Sequence, residues 1–207
     1  LKRAFNGGLL PGPRIYSSVP AIGPTGGHSD WGSWVAAPGE KSYQTKVQNT
    51  MVVNGVPEWL RAGRWVFRMG GDFLKVMSGG GVASDFDPLD LNSPSLEEMK
   101  AAVQVANEYG SYVMAHSYRK KAIMTALNAG VRSIEHGFMF DGDIAKLMKK
   151  KGAYMTTNMQ AFSPALGQVS AISASPAAAR KAASAQKAFK NYVENVKKYR
   201  PKLGFQS

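Results

Sequence analysis

The chain contains no cysteine, which excludes a disulfide framework and any thiolate metal site. It has no apolar run near the roughly 18 residues that suggest a membrane span, so no membrane partner is expected. Acidic residues are few, 14 against 26 Lys and Arg, leaving a net charge of +12. Such an excess raises the question of a polyanionic partner. Many of the positive charges, however, fall in 146–151 and 180–202, stretches that read as helices, where a solvated face accounts for them. No nucleic-acid partner is expected. The first residues, Leu1–Phe5, carry neither an initiator Met nor a signal-peptide pattern. The chain reads as the interior of a longer one, and cytoplasmic and secreted locations both remain open.

What is present is ordinary globular composition. With 207 residues, 44% apolar and 19% charged, the chain suits one domain over 1–207. Short strand-like runs alternate with helical ones. The pattern predicts strands over Gly12–Ser18, Asp72–Ser78, Ser111–His116, Val131–Glu135, Ala153–Asn158 and Leu203–Gln206. Between them it predicts helices over Ser95–Tyr109, Arg119–Ala129, Ile144–Lys151 and from Pro176 to about Tyr199. Ser95 with Glu98 forms a capping-box signature, Gly130 and Gly152 stop helices, and Pro176 suits a first turn. Strands alternating with helices point to βαβ units and a parallel sheet. No GxGxxG follows a first strand, so a (β/α)8 barrel is favoured over an open doubly wound sheet. A full barrel needs about 250 residues, so about six strands in this length predict an incomplete one.

Catalytic groups in such barrels sit at the C-terminal ends of the strands. All three histidines fall there: His116 closes SYVMAH, His136 follows VRSIE, and His28 lies in TGGHSDW, after the strand expected at 12–18. A lone histidine is more often a hydrogen-bonded structural residue. Two on consecutive strands converge on one barrel mouth, and neutral imidazole suits zinc and related ions. Lys75, flanked by Leu74 and Val76, is costly to bury unpaired. It either faces solvent or works, as a Schiff-base amine, a base or a carbamylated metal bridge.

The set GPRI, TGGHSDW, GDFLKVMSGGGV, AHSY followed by ALNAGV, and SIEHG resembles the amidohydrolase superfamily, in its imidazolonepropionase-like branch that includes Xaa-Pro dipeptidases. The likeness runs from about Arg3 to Thr157 and more loosely beyond. It implies a binuclear zinc centre in the complete enzyme, with Lys75 as the carbamylated bridge and His116 and His136 as ligands. His28 would be a catalytic residue that helps polarise the substrate carbonyl. The implied reaction is hydrolysis of amide bonds in dipeptides or N-acyl amino acids by metal-activated water. The family's HxH pair is absent, and the chain stops at LGFQS, short of the last aspartate ligand. The expectation is therefore a barrel without its first two strands, ending within the eighth, and inactive by itself; self-association would cover its open edges.

Other readings stand beside this one. A cyclic-amide or imidazolone ring hydrolase could use the same core, because specificity lies in loops; Gly26–Lys41 and Met159–Ser175 are the candidate substrate loops. A Schiff-base lyase would use Lys75. A non-enzymatic basic module would use Arg180, Lys181, Lys187, Lys190, Lys197 and Lys198.

Overall fold

The computed structural model describes residues 1–84, 86–159, 163 and 175–205. Seven parallel strands form one sheet: β1 (Ala21–Gly23), β2 (Thr50–Val52), β3 (Leu74–Met77), β4 (Val113–Ser117), β5 (Ser133–His136), β6 (Tyr154–Thr157) and β7 (Lys202–Phe205). Their order is β2-β1-β3-β4-β5-β6-β7. Among the described residues β2 and β7 are both edges, so the sheet is an unclosed barrel of the expected kind.

The helices are α1 (Lys2–Asn6), α2 (Tyr43–Lys46), α3 (Gly55–Arg68), α4 (Leu96–Glu108), α5 (Lys120–Ala129), α6 (Gly142–Lys151) and α7 (Pro176–Tyr199). From α3 to α7 each packs on the next. No helix among the described residues is long and apolar enough to cross a membrane.

Two expectations need correcting. Gly12–Ser18 forms no strand. Pro11 and Pro13 supply no N–H to a ladder, and the segment is held by side chains instead: Asn6 brackets Ile15, and Asp72 accepts from the Ser17 N–H. The first strand is Ala21–Gly23, and with Thr50–Val52 the count rises from six to seven. The second miss is α3, whose Pro57 and two glycines obscure a helical pattern. Pro57 sits in its first turn, where no N–H is needed. Gly63 lies where a Cβ would press on Val105 and Leu74 at 3.0 and 3.2 Å, so its bareness lets α3 settle on α4 and β3.

Alternation along the strands divides the sheet. Leu74, Val76, Val113, Ala115, Ile134 and Met155 are buried in one cluster with Ala62, Val66, Ala102, Ile123, Leu127, Ile144 and Met148 of the helices. Strand registers place Lys75 beside Met114 and Ser133, and Met77 beside His116, Glu135 and Thr156. These rows belong to the opposite, inner face. The predicted capping box is present: Ser95 Oγ accepts from the Glu98 N–H at 3.3 Å, and the Glu98 carboxylate accepts from the Ser95 N–H at 2.8 Å. Replacing Ser95 with Ala is expected to cost about 1 kcal/mol, measurable as a lower urea midpoint with unchanged slope.

Candidate metal and substrate site

Three imidazoles meet at the C-terminal end of the sheet. His116, in β4, stacks on His28 with ring centroids 4.3 Å apart and meets His136 edge-on at 4.8 Å. Tyr118 closes the group, stacked on His136 at 5.2 Å. The sequence places all three histidines near strand ends, and the structure brings them into one cluster. His28 does so from the loop after β1, not after a strand at 12–18.

His136 reaches this cluster through an unusual backbone. It follows Glu135, which shares the His116 row, so strict alternation would send its ring toward the helices. Its φ is +73°, and Gly137 follows at +62°. A left-handed residue that is neither Gly nor Asn is uncommon and costs energy, a pattern concentrated at functional sites. Here it turns the ring toward His116 and Tyr118. Asn158 fixes it, its Oδ1 accepting a 3.0 Å hydrogen bond from Nδ1.

Burial keeps the site's bases neutral. It is the main cause that holds His116 well below the ordinary histidine value, with the charges of its neighbours adding to it. His136 is lowered to about 4 by burial and then by Lys75, against the Asn158 hydrogen bond and Glu135. Neutral imidazoles are what a metal ligand requires. Lys75 sits on the neighbouring strand two residues before Met77, the register partner of His116. Burial lowers its ammonium to about 8, partly offset by the charge of Glu135. Lys75 is part-buried, and among the described residues its Nζ has no hydrogen-bond partner. Burial of this depth weighs against the solvent-facing alternative for Lys75. Glu135, 2% exposed, is held by Ser133 Oγ at 2.6 Å and by Thr156 Oγ1.

The loop after β3 forms the other wall. Gly80 O meets His116 Nε2 at 3.2 Å. Gly81 lies so close to His28 that a Cβ would overlap the ring. His28 Nδ1 contacts Ser84 Oγ at 2.6 Å and Asp87 Oδ2 at 3.1 Å. Trp31 is 6.4 Å from His28, whereas Trp34 packs on Phe86 at 4.3 Å. Most of Met159–Ser175, the other expected substrate loop, lies outside the described residues.

As a donor set for zinc, neutral His116, neutral His136 and the unpartnered Lys75 fit one side of a centre. Among the described residues no three His, Asp or Glu side chains gather as a metal site, so the fit is partial. Sequence reasoning missed Asp87, Tyr118, Glu135 and Asn158, and gave Lys181 only to a basic helix face. A charge beside a histidine in an apolar strand could have flagged Glu135; the others have no local signal.

The sequence profile of the Amidohydrolase family matches residues 1–199. The chain belongs to the amidohydrolase family. It is 36% identical over 160 residues to ochratoxinase from Aspergillus niger, covering 72% of this chain and 33% of that protein. Among solved structures, a prolidase complexed with N-methylphosphonate-L-proline is 33% identical with a TM-score of 0.89, covering all of this chain and 51% of the other. A Xaa-Pro dipeptidase with methionine in its active site is 30% identical with a TM-score of 0.82, covering 99% and 50%. This amidohydrolase chain thus spans about half the length of those solved relatives and a third of the curated one.

Proposed function

We propose that this chain carries part of the zinc shell and the substrate-facing loops of an amide hydrolase acting on dipeptides or N-acyl amino acids. The observation that carries this is the contact of the His116 and His136 rings at the C-terminal ends of adjacent strands, with Lys75 on the next strand near enough for its charge to depress both. The prolidase, Xaa-Pro dipeptidase and ochratoxinase relatives support the class of reaction.

In this reading His116 and His136 each present a neutral nitrogen to zinc, and Asn158 keeps the His136 ring in place. The Lys75 amine, more readily deprotonated than an ordinary lysine, would add to carbon dioxide and lose a proton, giving a carbamate whose oxygens could serve as metal ligands. Zinc, when bound, supplies Lewis acidity that polarises the amide carbonyl and acidifies water. His28, stacked over His116, helps bind the substrate from the loop side. The basic-module reading loses a member, because Lys181 is turned inward to hydrogen-bond the loop after β3.

The test is elemental analysis of the purified chain, expressed with zinc and bicarbonate. The expected result is about one zinc per chain, the partial shell filling one position, lost in His116→Ala and in His136→Ala. N-methylphosphonate-L-proline, the ligand of the prolidase relative, should then raise the melting temperature of the zinc-loaded chain and leave the His116→Ala variant unchanged. A folded chain with no zinc above background would sink the metal assignment. Zinc binding without any response to the phosphonate would sink the substrate class alone.

A further inference from the structure

The loop after β3 is tied down from two sides by groups that the proposed chemistry does not use. Asp87 is fully buried. Its Oδ2 accepts the Gly81 N–H at 2.5 Å and faces His28 Nδ1 at 3.1 Å. From the other side, α7 sends down Lys181, whose ammonium donates to the carbonyls of Gly81, Ser84 and Asp87 at 3.1, 2.6 and 2.6 Å. It also pairs with Asp87 Oδ1 at 3.4 Å. Lys181 is nearly a hundred residues from these partners in sequence, so this contact is tertiary throughout. A buried carboxylate facing a histidine and a lysine is expensive to desolvate. A loop needing only to be anchored could be held by apolar packing.

We propose that Asp87 and Lys181 are positioning residues that fix the ring plane and tautomer of His28, with Lys181 holding Asp87 and its loop in place. The inference rests on the reading of His28 as a substrate-facing residue and deepens it: with the proton on Nδ1, Nε2 accepts a hydrogen bond from a substrate N–H or from water and does not donate to the carbonyl. The argument is one of donors and acceptors. An ionised carboxylate only accepts, so the nitrogen facing it must carry the proton. His28 is thus the Nδ1–H form, and Nε2 is left for substrate or water; among the described residues it has no other partner. Without the carboxylate charge, free imidazole would populate both tautomers, and the Nε2–H form would present the wrong group whenever an acceptor nitrogen is needed. Stacking on His116 sets the tilt of the ring, Ser84 and Asp87 set its rotation, and Gly81 leaves room for it.

Lys181 suits its role as a compact point donor. Its three carbonyl acceptors converge on one nitrogen, an arrangement a planar guanidinium cannot reproduce. Lys181→Arg should therefore fail as Lys181→Met does.

The test is a long-range proton–nitrogen NMR spectrum of the three imidazoles in the 15N-labelled, metal-free chain, with His28 assigned by its loss in His28→Gln. The wild type should show His28 as the Nδ1–H tautomer. Asp87→Asn keeps the shape and can still accept the Gly81 N–H, but it lacks the charge. In that variant the Nε2–H form should rise to a substantial fraction while the backbone spectrum stays folded. Lys181→Met and Lys181→Arg should shift the same signals in the same direction. A wild-type His28 with a bare Nδ1 would overturn the proposal, and so would an Asp87→Asn spectrum with unchanged tautomers. If Asp87→Asn fails to fold, the Lys181 variants decide on the same readout. The zinc and phosphonate measurements are independent of this one: tautomer control with no zinc would leave the positioning pair standing and the hydrolase reading fallen, and the reverse pattern would do the opposite.

Discussion

Lys75→Met is expected to make the metal-free chain more stable while abolishing the zinc binding proposed above. An ammonium on the inner face of the sheet, held at about 8, is a charge the fold keeps against its own stability. The sign follows from proton binding. Between about 8 and the ordinary lysine value of 10.5, the unfolded chain holds the proton and the folded chain does not. Stability therefore rises with pH across that window, and below it the full penalty applies. Discounted for the part of Lys75 that remains open, the penalty is about 2 kcal/mol. Urea unfolding near neutral pH should show the Met variant more stable by that amount, with the gain shrinking as pH rises through the window. Zinc affinity should fall by at least about a hundredfold, since losing even a group that orients a ligand costs about 10–100-fold. A Met variant that is less stable than wild type yet still holds zinc would refute both the burial argument and the ligand assignment.

Asp87→Ala should have the largest cost of any single substitution in the site. It removes the common acceptor of the Gly81 N–H and His28, and leaves the Lys181 ammonium beside the loop without its carboxylate. Breaking a buried charge pair by deleting one partner costs about 3–5 kcal/mol. For a chain of this size that is a fall of about 10 °C in melting temperature. Burial by itself would raise the Asp87 carboxyl. The hydrogen bonds from His28 and Ser84 and the Gly81 N–H outweigh it, holding the group below its ordinary value. Its contribution is therefore complete above the ordinary carboxylate range and fades as pH falls through the depressed value. Wild type should lose stability steeply on acidification, and Asp87→Ala should lose it less steeply. Equal acid slopes in the two proteins, measured by urea titration, would show that Asp87 is not the responsible group.

These residues show which parts of the protein can be read locally. Ser95 and Glu98, Gly130, Gly152 and Pro176 mark helix ends because caps and stops are properties of a few adjacent residues. Leu74, Lys75 and Val76 mark a strand with a misplaced charge for the same reason. Gly12–Ser18 misled, since an apolar and extended stretch looks like a strand whether or not a neighbour exists to pair with it, and Pro11 and Pro13 prevent that pairing. The α3 segment was hidden because Gly63, a poor helix former, is required there by the approach of α4 and β3.

The sequence by itself determined the α/β alternation, the family motifs, and the residues Lys75, His116, His136 and His28 as the groups worth watching. Tertiary structure alone decided how they meet. The left-handed turn at His136 breaks the period-2 rule that would have aimed its ring at the helices, and no propensity at that position announces it. The pairing of Lys181 with Asp87, and of Asp87 with His28, joins segments far apart in sequence. Such contacts depend on where helices and loops come to rest once the apolar face of the sheet is covered. Hydrophobic periodicity reports which face is buried; it carries no information about which buried polar groups will find one another.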